Sequence, residues 1–403
     1  MSERASLSSF PRVSRAASLV LALAALALAG AAQAGTRFSE PAVFDAETTG
    51  SASQSALVVG PDGAMYGTTE FGGQHGLGTV FRFVPGQGIE AVHHFSGKTG
   101  ARSRAGLLRL PDGSLWGVGG FGGAHDLGTV FRLLPNGKVK LVHSFDGVDG
   151  EYPLARLTLG RDGLVYGSTA GMTDAYAGSV FRIDPATGGF TLLHRFEGDK
   201  DSAPLGHSPT GRLLQAADGY LYGTTYEGGN KGQGTIYRLD PASGAVALVH
   251  AFQQGEGCKP YAGLTEGSDG DFYGVATSCG DGGSGTVFRV KLKGGQANIQ
   301  PMHHFDWFNE ASNPICDLTL ASDGYLYGCA HDVGYGSAFR IRPSGADYNR
   351  FLLAGWRTPS KGWFPWGQML EHEGALWGTL ALGVYTEYSA GTIYRLTTTA
   401  HQP

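Results

Sequence analysis

The sequence predicts an all-β fold, a seven-bladed β-propeller with four antiparallel strands per blade. Two repeated features and one missing periodicity predict it. An Asp-Gly turn returns seven times at intervals of about fifty residues, and an aromatic-glycine pair follows each turn at a constant distance. After the N-terminus, no segment has a sustained helical period of apolar residues. Four short strands repeated at this interval are typical of propeller blades. The turns are Asp62-Gly63, Asp112-Gly113, Asp162-Gly163, Asp218-Gly219, Asp269-Gly270, Asp323-Gly324 and, altered, Glu373-Gly374.

One repeat unit shows how the four strands are predicted. Residues 107–110 form a short apolar run that ends in the turn Pro111-Asp112-Gly113, and residues 115–119 form the return strand. Such a pattern indicates a β-hairpin. A glycine-rich loop then leads to a third strand at 128–133, and a second turn leads to a fourth at 139–145.

The two ends of the chain predict how the ring closes. The seventh unit stops after its third strand, at residues 397–403, whereas residues 40–44 (EPAVF) resemble the end of a fourth strand such as 140–145 (KLVHSF). We therefore expect the N-terminal strand to complete the seventh blade. Closure of this kind leaves no long unpaired strand edge.

Residues 1–34 have the pattern of a secretory signal peptide. Arg4, Arg12 and Arg15 precede an apolar run at 16–29, and Ala32-Gln33-Ala34 supplies the small residues of a cleavage site. The apolar run is short for a membrane span. We expect cleavage after Ala34, one propeller domain over residues 35–403, and no membrane span after cleavage. Cleavage shifts the net charge from −5 to about −7, which argues against a nucleic-acid partner.

The four cysteines predict two disulfide bonds. Cys258 and Cys279 lie eleven residues before and ten after Asp269, and Cys316 and Cys329 lie seven before and six after Asp323. Residues placed symmetrically about a hairpin turn face each other across its strands. An oxidising compartment favours Cys258–Cys279 and Cys316–Cys329 bonds. The alternative for the second pair is two small buried side chains, like Ala105 in the second repeat.

The repeat itself resembles a known family. The pattern D-G-x-L-Y-G-T-T…G-G…G-x-G-T-[VI]-[FY]-R-L…L-[VL]-H-x-F, present from Asp218 to Phe252, is similar to the GloVer tandem repeat of exported bacterial propeller-like proteins with an interchangeable anchor. The resemblance implies fold and export, and no established reaction. Members commonly carry a C-terminal anchoring segment, but residues 397–403 offer neither a hydrophobic helix nor a basic tail. The sequence therefore favours a free periplasmic or secreted protein.

Two further sets of repeated residues are predicted to be structural. Histidines recur in the fourth, outermost strand, where equivalent positions lie around a circle and cannot converge on one metal ion. Arginines end the third strand and are expected to pair with turn aspartates or nearby carbonyls. The histidines are His93, His143, His194, His250 and His303. The arginines are Arg82, Arg132, Arg182, Arg238, Arg289, Arg340 and Arg395.

Acidic residues are frequent in the connections between blades. Asp149 with Glu151, or Asp199 with Asp201, could bind calcium, which takes several oxygen ligands. No connection has the D-x-[DN]-x-[DN]-G pattern of a calcium loop. We therefore interpret these carboxylates as solvated turn residues, and the sequence predicts no metal and no cofactor.

Aromatic residues cluster in the connections around the sixth and seventh repeats. Trp307, Phe308, Trp363 and Trp366 break the repeat there, together with Trp356 and Phe364. Exposed aromatic surface on one sector predicts a binding site, and in an exported protein flat aromatic faces suit sugar rings. The alternative is that these side chains fill the joint where the ring closes.

The sequence thus predicts a monomeric binding or interaction scaffold with a carbohydrate or cell-envelope partner. The alternative is an enzyme that cleaves a polysaccharide or glycoside through rim carboxylates and a histidine. His75, His125, His207 and His331 are irregular rim histidines that could serve as a base. No G-x-S-x-G, H-E-x-x-H or phosphate-loop motif marks a catalytic centre.

Overall fold

In a computed structural model of the chain, seven antiparallel β-sheets stand in a closed ring. The structure describes residues 36–171, 177–293, 296–307, 311–332, 335–353, 364–381 and 390–397. Within these residues, the helical segments are two short 3₁₀ turns, Asn230–Gly232 and Gln254–Glu256. The predicted seven-bladed propeller is confirmed.

Each blade runs from an inner strand to an outer strand in chain order. The first blade contains β2 (Val58–Val59), β3 (Met65–Thr68), β4 (Thr79–Val84) and β5 (Gly88–His94). The second contains β6 (Leu108–Arg109), β7 (Leu115–Gly119), β8 (Thr129–Leu133) and β9 (Val139–Ser144). The third contains β10 (Thr158–Leu159), β11 (Val165–Thr169), β12 (Ser179–Ile183) and β13 (Phe190–Arg195). The fourth contains β14 (Leu214–Gln215), β15 (Leu221–Thr225), β16 (Thr235–Leu239) and β17 (Val246–Ala251).

The last three blades are less regular. The fifth contains β18 (Thr265–Glu266), β19 (Phe272–Ala276), β20 (Gly283–Lys293) and β21 (Gln296–Asp306). The sixth contains β22 (Ser312–Pro314), β23 (Thr319–Leu320), β24 (Leu326–Asp332), β25 (Tyr335–Ile341) and β26 (Asn349–Leu352). The seventh contains β27 (Phe364–Pro365), β28 (Leu370–His372), β29 (Ala375–Ala381), β30 (Thr392–Thr397) and the N-terminal β1 (Arg37–Val43). The short extra strands β22 and β27 were not predicted from the sequence.

The N-terminal strand closes the ring, as predicted. β1 pairs antiparallel with β30, with Phe38 opposite Leu396. Phe44 then packs edge-on against Phe81 of the first blade, with ring centroids 4.9 Å apart. The strand begins three residues before the predicted segment, at Arg37. The first and last described strands therefore hold each other in one sheet.

Seven apolar clusters form the core, one between each pair of neighbouring blades. The cluster between the first two blades joins Val80 and Phe95 to Leu107 and Phe131, all of them buried. Each sheet therefore buries both faces, and no single blade could bury its apolar residues alone.

The aromatic-glycine pair of the repeat has a packing cause. Gly117 lies directly opposite Phe131 on the neighbouring strand, and a Cβ atom at Gly117 would come 2.5 Å from the Phe131 ring and 2.7 Å from the Leu107 side chain. The glycine makes room for the ring. All seven blades contain the same pairing of a glycine with a third-strand aromatic ring.

The motif G-[ST]-[VIA]-[FY]-R also follows from the structure. In the second blade, Gly128 has a φ of +107°, and a Cβ atom there would lie 2.9 Å from the carbonyl oxygen of Gly119. The Thr129 hydroxyl donates a hydrogen bond to the carbonyl of Thr99 at 3.2 Å. Val130 and Phe131 are buried. The threonine thereby holds the connection that enters the blade.

The arginine prediction is confirmed in part. Arg82 pairs with Asp62 at 2.6 Å, Arg289 pairs with Asp269 at 2.7 Å, and Arg132 pairs with Asp112. Arg182 donates to the carbonyl of Pro241 in the next blade at 2.9 Å, the other kind of partner that was expected, whereas Arg238 lies over the Tyr220 ring. The turn aspartates also accept a hydrogen bond from the repeated tyrosine hydroxyl. The tyrosines are Tyr66, Tyr166, Tyr222, Tyr273 and Tyr327.

The outer histidines act within their own blades. His143 Nε2 lies 2.7 Å from Asp149, and His250 Nε2 lies 2.7 Å from Glu256, six residues later in each case. His93 contacts Thr99 in the same way, at 3.0 Å. The structural interpretation is therefore correct for these three. Asp149 was expected to be solvated, but it holds His143, as Glu256 holds His250.

Both predicted disulfides are present. The Cα atoms of Cys258 and Cys279 are 5.4 Å apart, and so are those of Cys316 and Cys329. The alternative of two unbonded small residues at Cys316 and Cys329 is therefore wrong. The bonds lie in the fifth and sixth blades, beside the less regular part of the ring.

Candidate functional site

The seven blades converge on a central channel. Just before its innermost long hairpin, each blade contributes two positions separated by one small residue. The first ring of positions contains Gln54, Arg104, Leu154, Thr210, Tyr261, Ile315 and Trp366. The second ring, two residues further along, contains Ala56, Gly106, Arg156, Arg212, Gly263, Asp317 and Gln368.

The residue between the two rings packs against a neighbouring blade. The carbonyl of Ala105 accepts a hydrogen bond from the Thr68 hydroxyl at 2.9 Å, and the carbonyl of Ala262 accepts one from Thr224 at 2.8 Å. Extended backbone alternates its side chains between two sides. The small residues therefore leave their neighbours on the channel side.

A repeated backbone feature precedes the first ring. Two residues earlier, six blades have a non-glycine residue in the left-handed region, at φ values of 50° to 58°. Such a conformation costs roughly 1–2 kcal/mol for each residue with a Cβ atom. In two of them, the amides of Arg102 and Tyr152 donate to the carbonyls of Leu77 and Leu127 in the preceding blade, both at 2.9 Å. The residues are Ala52, Arg102, Tyr152, Ser208, Lys259 and Asn313.

The channel opens into a cavity of about 520 Å³ at one rim. Three aromatic rings form one side, with Tyr226 and Tyr261 edge-on at 6.1 Å and Tyr261 and Trp366 edge-on at 6.0 Å. We call this cavity the mouth. Its nine lining residues are Arg104, Tyr226, Tyr261, Thr277, Ser278, Asn313, Ile315, His331 and Trp366.

His331 supports the aromatic side of the mouth. Its ring packs edge-on against Trp366 at 4.5 Å, and its Nε2–H donates to the carbonyl of Pro365 at 3.2 Å. Burial lowers the pKa of His331 to about 4, although the Pro365 carbonyl opposes the shift. The ring is therefore neutral near pH 7. Of the other rim histidines, His75 and His125 are exposed, and His207 is buried against Ser208.

A buried acid fixes the arginine of the mouth. Arg104 Nη2 donates to Glu70 at 2.6 Å, and the Gln54 amide donates to the other Glu70 oxygen at 2.7 Å. Glu70 is only 2% exposed. Burial raises the pKa of nearby Tyr261 to about 12, so its hydroxyl stays protonated at neutral pH. The Arg104 guanidinium is thus held in place by Glu70, which the Gln54 side chain holds in turn.

The second ring carries a second charge network. Arg212 Nε lies 3.3 Å from Asp317, which also accepts a hydrogen bond from the Gly263 amide at 2.7 Å. Arg156 lies near this pair in a narrower cavity of about 80 Å³. Burial and the positive charge of Arg212 lower the pKa of Arg156 to about 10, against the opposing effect of Asp317. Arg156 is therefore still cationic at neutral pH.

The repeat pattern matches a known family along nearly the whole chain. The pattern described as the Gloeobacter/Verrucomicrobia repeat matches residues 31–208 and 208–402. The chain belongs to this family. The resemblance found in the sequence is thereby confirmed. No curated protein matches this member of the Gloeobacter/Verrucomicrobia repeat family.

Several solved structures are similar to this one in the path of the backbone. A protein of unknown function from Dyadobacter fermentans is 12% identical with a TM-score of 0.49, covering 91% of this chain and 100% of that one. A gluconolactonase from Xanthomonas campestris is 13% identical with a TM-score of 0.41, covering 71% and 82%. TolB from Acinetobacter baumannii is 17% identical with a TM-score of 0.42, covering 68% and 59%.

Of the two predicted aromatic site residues that the structure describes, only Trp366 lies at the mouth. Trp366 lies in the first ring, whereas Trp307 follows the outermost strand β21, is 49% exposed and does not line the mouth. Phe308 and Trp363 lie outside the described residues, as does Trp356. Trp366 is thus grouped with Tyr261, Tyr226 and His331, of which sequence analysis singled out only His331.

Sequence analysis missed the rest of the channel. Arg104 is the one arginine of the first ring, and Arg156, Arg212 and Asp317 are the charged residues of the second, so no residue recurs there often enough to stand out as the repeated histidines and arginines do. A usable signal did exist. Aligning the seven repeats on the small residue before the first strand would have shown two columns of dissimilar residues on either side of it.

Neither a cluster of metal ligands nor a membrane-spanning helix is present among the described residues. No group of three or more His, Cys, Asp or Glu side chains in this part of the chain could hold a metal ion. Among the same residues, no helix is long and apolar enough to cross a membrane.

Proposed function

We propose that this protein is an exported binding protein that holds a carbohydrate ligand at the mouth of its central channel. One observation carries the proposal: Tyr226, Tyr261 and Trp366 come from three blades and meet in a cavity of about 520 Å³. The C–H faces of a sugar ring pack well against aromatic rings, and a few polar groups then select the hydroxyl pattern. Arg104 and Asn313 line the same cavity and supply such groups.

Export is supported by two independent features. Both pairs of cysteines form disulfides, which persist in oxidising compartments. The charged, apolar and small-residue segments of residues 1–34 have the order of a signal peptide. We propose cleavage after Ala34 and a periplasmic or secreted monomer. N-terminal sequencing of the protein recovered from the periplasm or medium tests the cleavage site.

The lining of the mouth favours binding over cleavage. Glycoside hydrolysis commonly needs two carboxyl groups about 5–9.5 Å apart. None of the nine lining residues that the structure describes is acidic, and Glu70 behind them is bonded to Arg104 and Gln54. His331 uses its Nε2 proton on Pro365. The enzyme alternative predicts product release from polysaccharides, which a panel of substrates would detect.

A glycan array followed by calorimetry tests the proposal. The mature protein should bind one or more arrayed glycans, and Trp366→Ala should weaken that binding by roughly tenfold or more, the loss expected for a central aromatic contact. Trp307→Ala is the matched control, because it removes an exposed tryptophan outside the mouth.

Two results would contradict this proposal. The first is no binding to any glycan by the folded protein. The second is loss of binding with Trp307→Ala and none with Trp366→Ala, which would move the site to the outer sector around Trp307 and the predicted Phe308 and Trp363.

A further inference from the structure

The charges of the channel do not balance. Three arginines line it, at Arg104, Arg156 and Arg212. Arg104 is paired with Glu70 at 2.6 Å, and Arg212 is paired with Asp317 at 3.3 Å. Glu70 and Asp317 thereby neutralise the charges of Arg104 and Arg212. Among the described lining residues, the channel keeps one positive charge, whereas the whole chain has a net charge of −5.

The remaining charge belongs to Arg156. In the described part of the chain, its guanidinium makes no hydrogen bond and no ion pair within 4 Å, although a guanidinium carries five N–H donors. It is half-buried at the second ring, where it lines the channel. A cation in such a place is costly unless a counter-charge or water satisfies its donors.

Space for a counter-charge lies beside it. The cavity that Arg156 lines measures about 80 Å³, several times the 10–15 Å³ that one water molecule requires. Arg104, Tyr261, Ile315 and Trp366 line both this cavity and the mouth. The two cavities therefore adjoin at the first ring, with Arg156 on the far side from the mouth.

We infer that Arg156 binds an oxyanion in the second ring, a carboxylate or phosphate group that enters through the mouth. The planar guanidinium can donate two parallel hydrogen bonds to such a group. Arg212 adds positive potential from the adjacent blade, while Asp317 keeps that second arginine in place. This site does not depend on the proposed sugar binding. If both hold, the ligand is an acidic sugar, with its ring at Trp366 and its carboxylate at Arg156.

Calorimetry with three small probes tests the inference. We expect the mature protein to bind glucuronate or inorganic phosphate, with Arg156→Leu weakening that binding about tenfold or more and Arg156→Lys weakening it less. Binding of glucuronate but not of phosphate would indicate that the ligand is a sugar acid. Binding of phosphate alone would indicate that it is a free oxyanion. Arg161→Leu is the matched control, because it removes the same charge from an exposed position of the same blade.

The outcomes separate this inference from the proposed function. Glucose is the neutral probe, and its binding should depend on Trp366 and not on Arg156. Anion binding that needs Arg156, without any glycan binding, would uphold the channel site and reject the carbohydrate proposal. Equal affinities for Arg156→Leu and the unaltered protein, or no binding of either anion while both proteins melt at the same temperature, would overturn the inference.

Discussion

The interior of the blades and the wall of the channel are built from the same seven repeats, yet they differ sharply. At the third-strand aromatic position, every blade carries a fully buried phenylalanine or tyrosine. At the second ring of the channel, the seven copies range from glycine to arginine. The aromatic residues are Phe81, Phe131, Phe181, Tyr237, Phe288, Phe339 and Tyr394.

The difference has a physical origin. Inside a blade, the ring fills a space bounded by the opposite glycine and the neighbouring sheet, so one shape fits in every copy. In the channel, side chains face the axis and their partners differ from blade to blade, so no single shape is required in all seven copies. Positions that differ between copies are therefore the ones available for a ligand, and function should be sought there.

The largest expected effect comes from a substitution in the interior of the blades. Phe131→Ala should lower the free energy of unfolding by about 3–5 kcal/mol, because it leaves a cavity between two blades. Urea denaturation measures it. The control Leu141→Ala alters a residue that is 44% exposed and should change stability by less than about 0.5 kcal/mol. Equal effects would contradict the packing account.

The disulfides also depart from the repeat, but unlike the channel residues they do so for a structural reason. Replacing Cys258 and Cys279 by serine should cost about 3 kcal/mol, since the bond closes a loop with a sequence separation of 21 residues. Replacing Cys316 and Cys329 should cost slightly less, since the separation is 13. Thermal denaturation of both double variants measures the costs. No mass change on reduction of the denatured protein would show that the bonds do not form.

Gly117→Ala tests whether the ring needs its glycine. The added methyl group would collide with Phe131 and Leu107, so we expect a loss of about 1–3 kcal/mol by chemical denaturation. Gly255→Ala is the matched control, because a Cβ atom there meets nothing within 4 Å. A stable Gly117→Ala protein would show that the blades can shift apart.

The turn aspartates predict a pH effect on the regular part. Burial opposes ionisation of Asp269, but hydrogen bonds from Tyr273 and the Asp271 amide, with the charge of Arg289, outweigh it and lower the pKa. The stabilisation is present above the ordinary carboxyl pKa and is lost as pH falls through the lowered pKa. Asp269→Asn should remove up to about 1 kcal/mol near pH 7. Melting temperatures of the two proteins should converge as pH falls through the lowered pKa of Asp269; an unchanged gap would contradict this assignment.

The smallest expected effect is in the channel. Arg156→Leu should leave the free energy of unfolding within about 0.5 kcal/mol or raise it slightly, because the change removes an unpaired charge. The same denaturation series as for Phe131→Ala measures it. A loss of several kcal/mol would place Arg156 with the structural residues and would weaken the distinction between wall and interior.

The sequence by itself determined the repeat, the strands and the closure of the ring. These depend on local rules that recur along the chain: a glycine opposite a ring in seven blades, an aspartate that holds the turn in six, and a threonine or serine that ties the incoming connection in five. The pairing of cysteines also followed, since symmetric distances from a hairpin turn place two residues side by side. Because the chain has seven repeats, each pattern could be compared between copies.

Only the tertiary structure decided which unlike residues share one site. Arg104, Arg156, Tyr261, Asp317 and Trp366 span more than 260 positions of the chain and meet because equivalent positions of a ring face its axis. The same geometry separated Trp307 from Trp366, since one follows an outermost strand and the other an innermost one. Distance along the chain does not encode distance from the axis. The channel and its unpaired arginine therefore emerged only once the blades were assembled.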